Sequence, residues 1–374
     1  MTAYFMLISF MALLLPTVVL RSSAGDCKEK KLGQNIYLLI IAASFLIIMG
    51  LRAQEVGTDT APYARSFAQI NMFDSLGDAM SASQSGTPLY IALCWILGRF
   101  FDDPQILTFA QAAIIVVFLY KFIKSSSENY AFSAFLFFGL TIMLFGMNGS
   151  RQTMAMMISA YALSELSHDF KSKKAWLLVV CAVAIHLSSL VVVVGIVGIW
   201  LASRGIRPEK LVLIFAIIGF VSSSALNVAT SVISGIFGHY TIYQVDSGVF
   251  SFVEADSNGR IVLVYLFLSC FLVLWLIKNR GQGFKDMPIV AFFLPMMAFG
   301  MALGIANAGN ALTNRIVLYF TVPFICFIPT VVEQYASGTR ILLTIATIVP
   351  LLVYDFLYIA EGQGGITPYN VFWS

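Results

Sequence analysis

The chain has 374 residues, of which 59% are hydrophobic and 11% are charged. Its mean hydropathy of +0.87 is typical of a protein that crosses a membrane several times, and it leaves no room for a soluble domain. We therefore predict one integral membrane domain over residues 1–374. The net charge of +3 is too small to indicate binding of nucleic acid.

Apolar runs divided by short polar breaks predict the membrane helices. A helix that spans a bilayer needs about 20 apolar residues, so we predict an all-α polytopic protein with roughly 11–13 transmembrane or re-entrant helices. The clearest runs, in chain order, are 2–20, 35–51, 105–122, 130–147, 151–167, 211–229, 260–277, 287–305, 316–333 and 341–359.

Two stretches do not fit an ordinary crossing. The run 88–101 has about 14 residues and suits a re-entrant or interfacial helix. The run 175–201 either crosses once or forms a short broken hairpin around His186, and we favour the hairpin. A broken helix requires protein or a water-filled cavity around its freed backbone groups. In the rival interpretation both stretches cross the membrane once, which would divide the lysines between the two sides.

The basic residues are divided unequally between the membrane faces. In the favoured threading all 11 lysines lie on one side, the lysine face, which the positive-inside rule makes cytoplasmic. The opposite side, the arginine face, includes the polar segments 52–87 and 230–258. Positive charge on this face opposes the positive-inside rule, so the presence of these basic residues needs an explanation other than topology. The face has no lysine but six arginines: Arg52, Arg65, Arg99, Arg151, Arg260 and Arg315.

The first polar cluster on the arginine face runs from Arg52 to Arg65 and includes Asp59 and Tyr63. It is either an ordinary solvated loop or the mouth of a site. Arginine has a planar fork that binds phosphate through two parallel hydrogen bonds, a geometry that lysine lacks. A phosphate ligand would explain why this face uses arginine alone.

Three further arginines lie where helices begin. Arg151 and Gln152 follow a tight turn, so the helix dipole and free N–H groups at that end would favour the same anion as the arginine. Asn314 and Arg315 open a later span, and Arg260 opens another. For each arginine the alternative is an anchor whose side chain reaches the lipid headgroups.

His186 lies at the expected break of the run 175–201. A lone histidine in an apolar run is usually structural, but its ring titrates near neutral pH and could take a proton from a sugar hydroxyl. No residues have the spacing of a metal site, and no nucleotide-binding motif is present. The energy for any chemistry would therefore enter with the substrate.

Together these features resemble the EpsG family of bacterial polysaccharide polymerases, within the wider Wzy-type group. The resemblance runs from about residue 35 to the C-terminus. It is carried by short motifs in a set order: Arg52, Gly-Thr-Asp-Thr at 57–60, Tyr63, Arg151 with Gln152, His-Leu-Ser at 186–188, Asn314 with Arg315, and Thr-Pro-Tyr at 367–369.

The resemblance implies a fold like that of the GT-C glycosyltransferases and an enzyme that polymerises lipid-linked repeat units. Donor and acceptor would be oligosaccharides on undecaprenyl pyrophosphate. The enzyme would lie in the inner membrane of a bacterium, with its active site facing the periplasm. No metal, nucleotide or other cofactor is expected. Membrane lipids and a chain-length regulator protein are the further expected partners, and nucleic acid is not one.

The resemblance also implies residue roles. The catalytic base would be His186 or Asp59, with a slight preference for His186. The residues expected to bind pyrophosphate or sugar are Arg52, Tyr63, Arg65, Arg151, Gln152, Asn314, Arg315 and Arg260.

Three other functions stay open: a flippase or transporter of lipid-linked glycans, a transferase like O-antigen ligase, and a non-catalytic assembly subunit. Transporters, however, tend to place charges near the midplane of the membrane and to contain internal repeats.

Overall fold

The computed structural model describes residues 2–24, 27–83, 87–236, 251–308 and 310–373. This part of the chain contains seventeen α-helices and no β-strand, which confirms the all-α prediction. The helices are α1 (Thr2–Ala24), α2 (Cys27–Gly50), α3 (Thr60–Ile70), α4 (Leu76–Ala82), α5 (Pro88–Leu97), α6 (Gln105–Ser126), α7 (Tyr130–Gly139), α8 (Ile142–Asn148), α9 (Ser150–His168), α10 (Lys173–Ile185), α11 (Val192–Ser203), α12 (Pro208–Ile236), α13 (Ser251–Lys278), α14 (Leu294–Ala306), α15 (Ala311–Thr321), α16 (Phe324–Glu333) and α17 (Ser337–Ala360).

Among the described residues, five helical segments are long and apolar enough to cross a membrane, and two bent pairs raise the number to seven. The first pair, α7 and α8, bends by 50° at Thr141, whose φ of 56° lies outside the helical region. The second pair, α15 and α16, bends by 48° at Pro323, because proline cannot continue the backbone hydrogen bonds of a helix. The chain is therefore a multi-pass membrane protein. The predicted runs 130–147 and 316–333 are bent rather than straight.

The short run 88–101 forms a helix that is shorter than an ordinary membrane span. Its helix α5 has only 10 residues. Two side-chain hydrogen bonds join this run to the segment that precedes it. Trp95 Nε1 donates to the Phe73 carbonyl at 3.1 Å, and Arg99 donates to the Asn71 carbonyl at 3.0 Å. The length of α5 agrees with a re-entrant or interfacial helix, which stays a prediction.

The stretch 175–201 breaks at His186, and both of its arms meet the same end of α9. At the start of α10, Lys174 Nζ lies 3.0 Å from Glu165 in the last turns of α9. At the end of α11, Ser203 and His168 line one cavity. Both outer ends of the stretch therefore lie beside the last turns of α9, and the chain turns back at His186 between them, which is the shape of a broken hairpin.

The C-terminal tail folds back onto the exit of α2. Ala53 donates its N–H to the Asn370 carbonyl at 2.9 Å, and Phe372 donates to the Leu51 carbonyl at 3.0 Å. The tail thus covers the start of the polar segment 52–87, which contains the helices α3 and α4 rather than open loop.

The second predicted segment, 230–258, is also more helical than expected. Helix α12 continues to Ile236 and α13 begins at Ser251. The stretch 237–250 lies outside the described residues.

Candidate functional site

One asparagine fixes the loop after α2 to the end of α8. Asn148 Oδ1 accepts hydrogen bonds from Thr58 Oγ1 at 2.7 Å and from the backbone N–H of Asp59 at 3.0 Å. Gly57 permits this approach, because its φ is +91° and a Cβ there would collide with the Met147 carbonyl oxygen. Asp59 is thereby held at the N-terminus of α3, close to the start of α9.

Arg151 is the second residue of α9 and is half-buried. Its guanidinium lies 5.0 Å from the centre of the Tyr90 ring, within cation–π range. The preceding Ser150 Oγ donates to Gln111 Oε1 at 2.7 Å, which fixes the start of α9 on α6. Arg151 Nε is buried and has no hydrogen-bond partner in the described structure. The side chain therefore keeps donor capacity for a ligand.

The start of α15 is joined to the start of α9. Gln152 Nε2 donates to the backbone carbonyl of Arg315 at 2.7 Å. Asn310 caps α15, because its side chain accepts a hydrogen bond from the N–H of Thr313 at 2.9 Å. These contacts bring Arg315 to the same place as Arg151.

His186 forms the tip of the hairpin, where φ of −151° and ψ of 117° end α10. Its Nδ1 lies 2.7 Å from Ser188 Oγ, which lies 3.0 Å from the Tyr319 hydroxyl. Ser189 Oγ lies 3.0 Å from the same hydroxyl. These hydrogen bonds orient the His186 ring and engage one of its two nitrogens. Nε2 has no hydrogen bond to any described residue and is the nitrogen open to a ligand.

Four predicted residues thus meet in one cluster, the arginine site: Asp59, Arg151, His186 and Arg315. Both arginine charges act on Asp59 and on His186. Burial raises the pKa of Asp59 above its usual value, and Arg315 and Arg151 partly oppose this rise by favouring the carboxylate. The same two charges disfavour a third positive charge on His186. The site therefore favours an anion, either Asp59 itself or a ligand.

Arg52 lies in a separate, closed environment. Its side chain is only 1% exposed, and its Nη1 donates to the Met49 carbonyl. It pairs with Val371 in an isolated bridge, and its charge acts on Tyr4 and Tyr369. These contacts favour a role in joining α2 to the C-terminal tail. A role in binding pyrophosphate stays a prediction.

Three other predicted residues differ in their surroundings. The Tyr63 ring packs 6.2 Å from the Tyr90 ring, which carries Arg151 on its face. Arg65 is exposed on α3. Arg260, at the outer part of α13, forms an ion pair with Glu361 at 2.7 Å.

The two predicted amide side chains bond to protein groups. Gln152 donates to Arg315 as described above. Asn314 Nδ2 donates to the Ala308 carbonyl at 2.9 Å, and Asn314 Oδ1 accepts from the Tyr265 hydroxyl at 3.3 Å. Both amides therefore position α15, and a direct contact with substrate stays a prediction.

The sequence reasoning did not single out Tyr90, Tyr319 or Asp355. Tyr90 and Tyr319 are aromatic residues in apolar runs, where nothing distinguishes them from packing residues. Asp355 gave a usable signal, because it is a lone carboxylate inside the apolar run of α17, and ionisable residues within spans are often functional.

The described residues contain no group of three His, Cys, Asp or Glu side chains that could hold a metal ion. They define a multi-pass membrane protein with a cationic cluster at the starts of α9 and α15. Comparison with protein families matches the EpsG family over residues 35–371, and the chain belongs to that family. Membership indicates a function of the polysaccharide polymerase type. No curated protein and no solved structure matches the chain.

Proposed function

We propose that this protein is a glycosyltransferase that polymerises repeat units carried on undecaprenyl pyrophosphate. A hydroxyl oxygen of the acceptor glycan attacks the anomeric carbon of the donor. The new glycosidic bond forms as the bond from that carbon to the pyrophosphate oxygen breaks. The pyrophosphate lipid leaves with the electron pair, and a base takes the proton of the acceptor hydroxyl. Neither nucleotide nor metal takes part.

The observation that carries this proposal is the convergence of Arg151 and Arg315 beside Asp59 and His186. Negative charge develops on the leaving pyrophosphate as the bond breaks, so fixed positive groups there stabilise the transition state more than the ground state. Two arginine forks from different helices suit the several oxygens of a pyrophosphate. The arginines would thus serve where other enzymes use a divalent cation.

We assign the base to Asp59 rather than to His186. Histidine becomes positively charged when it takes a proton, which is unfavourable beside two arginines. Asp59 instead becomes neutral when it takes the proton. Its raised pKa also brings the carboxylate closer to the strength that general-base catalysis needs. His186 would stay neutral and use Nε2 to hydrogen-bond the substrate. This assignment reverses the preference that the sequence suggested.

Family membership favours a bacterial inner membrane location, and the lysine bias favours an arginine site on the periplasmic side. The lipid carrier would lie in the bilayer beside the protein, and its headgroup would reach the site at the membrane surface. The chain-length regulator suggested by the resemblance would meet the protein at the same face.

The test is the length distribution of the surface glycan in cells that carry single variants. Arg151→Ala and Arg315→Ala are expected to leave single repeat units and to remove the ladder of longer chains. Arg99→Ala is the control, because Arg99 lies on the same face but stacks on Trp95 at 4.8 Å, away from the cluster. Unchanged ladders in both site variants, at normal protein levels, would show that the arginines do not hold the leaving group.

The same cells separate the alternatives. A flippase variant would accumulate lipid-linked units on the cytoplasmic side of the membrane. A ligase variant would accumulate full-length chains that stay on the lipid carrier. Single units on the periplasmic side are the result that the polymerase proposal requires.

A further inference from the structure

Asp355 is a buried carboxyl group inside a membrane helix. It lies in α17, five residues before Ala360, so about 7–8 Å inside the helix end. Its side chain is 1% exposed, and neither Oδ1 nor Oδ2 has a hydrogen-bond partner in the described structure. Removal of such a group from water without a partner is costly, and the cost is greater for the ionised form.

Two threonine hydroxyls of α17 are satisfied within the helix. Thr344 Oγ1 donates to the Arg340 carbonyl at 2.8 Å, and Thr347 Oγ1 donates to the Leu343 carbonyl at 2.7 Å. Asp355 forms no such hydrogen bond in the described structure. An apolar residue of similar size would pack there at a lower cost in free energy. The fold alone therefore gives no reason for a carboxyl group at this position.

Asp355 adjoins the arginine site through two tyrosines. Successive residues of a helix are turned by about 100°, so Tyr354, Asp355 and Tyr358 share one third of the surface of α17. We call these three residues the α17 polar patch. The rings of Tyr354 and Tyr358 are 6.5 Å apart, and the charge of Arg315 acts on Tyr358.

The patch also meets the loop that carries Asp59. A Cβ on Gly364 would lie 3.5 Å from the Tyr358 hydroxyl and 3.4 Å from Asn148 Nδ2. Asn148 in turn holds the backbone of Asp59. Tyr358 of the patch therefore lies near the loop that carries the proposed base.

We propose that Asp355 binds hydroxyl groups of the saccharide that the lipid carrier presents, with Tyr354 and Tyr358 beside it. The inference rests on the proposed function. The patch has no positive charge to attract the pyrophosphate that Arg151 and Arg315 would bind, so we place it on the sugar side of the substrate. Carboxyl oxygens accept hydrogen bonds from hydroxyls, and tyrosine offers both a ring face and a hydroxyl.

The test compares stability and binding in the purified protein. Asp355→Leu removes the unpaired carboxyl, and Thr347→Val is the control that removes a polar group from the same helix. The Leu variant is expected to unfold at a higher temperature than the natural chain. Its affinity for the undecaprenyl-pyrophosphate-linked repeat unit should fall by up to about tenfold, as for a lost hydrogen bond.

Affinity for undecaprenyl pyrophosphate without sugar should be the same for the natural chain and for Asp355→Leu. Asp355→Asn keeps the ability to bond hydroxyls and should bind the repeat unit more tightly than the Leu variant. A lower unfolding temperature for Asp355→Leu would mean that the carboxyl is structural. Equal loss of affinity for both lipids would place it on the phosphate side, and unchanged affinity would remove it from the site. Each of these three results overturns the proposal.

The natural chain keeps this test separate from that of the proposed function. If it binds the repeat unit more tightly than the bare carrier, the saccharide contributes to binding, and the variants then decide whether Asp355 is responsible. If it binds neither lipid, both the polymerase proposal and the role of Asp355 are wrong.

Discussion

Replacement of Arg151 by lysine separates phosphate geometry from simple charge. Lysine keeps the positive charge, but it loses the planar fork and the stacking on Tyr90 at 5.0 Å. A hydrogen bond to a charged group is worth about 1.5–3 kcal/mol and a cation–π contact about 0.5–1 kcal/mol. Their loss in the transition state amounts to about 2–4 kcal/mol, which lowers kcat/KM by about 30- to 1000-fold.

The assay for this prediction is elongation of a purified lipid-linked repeat unit, with kcat/KM taken from the initial rate of glycan growth. Arg99→Lys is a matched control, because Arg99 also stacks on an aromatic ring, at 4.8 Å from Trp95, and lies on the same face. It should keep nearly full activity. Full activity in Arg151→Lys would refute the reasoning from geometry and leave only a requirement for charge.

Three further predictions concern the groups around Arg151. Arg315→Gln removes a charge that lowers the pKa of Asp59, so the pKa of Asp59 should rise. The acid limb of the pH profile of kcat/KM should then move to higher pH. An acid limb that does not move would exclude Asp59 as the base. Asn148→Leu removes two hydrogen bonds to the Asp59 loop, worth about 1 kcal/mol each, so kcat should fall about 30-fold, and a normal kcat would contradict a positioning role. Gly57→Ala places a side chain on a left-handed backbone, where its Cβ would collide with the Met147 carbonyl oxygen. Thermal unfolding should therefore show that the free energy of unfolding falls by at least about 1–2 kcal/mol. Gly77→Ala, in an open part of α4, should instead be neutral or slightly stabilising, and equal losses in the two variants would contradict the argument.

Seven of the ten clear apolar runs coincide with the five long apolar helices and the two bent pairs, because run length and charge are local properties. The bends are different. Thr141 adopts a left-handed conformation that its sequence does not favour, so the surrounding packing must impose it. Pro323 does signal a break, yet the run around it is apolar enough to be interpreted as one straight helix. The break at His186 was predictable only because the lysine bias required a hairpin there.

The candidate site was predicted in part. Arg151 and Arg315 were identified because arginine at a helix start on a face without lysine is unusual. Their convergence with Asp59 depends on contacts between distant parts of the chain, such as those of Asn148, and no local pattern encodes these contacts. Arg52 shows the limit of the pattern, because the same residue type on the same face lies in a closed structural position.

The most direct measurement uses purified protein in lipid nanodiscs with a lipid-linked repeat unit, a metal chelator and no nucleotide. The polymerase proposal predicts a ladder of longer glycans and one undecaprenyl pyrophosphate released for each bond formed, with both signals lost in Arg151→Ala and Arg315→Ala. Folded protein that binds the repeat unit but forms no longer glycan and releases no carrier would contradict it.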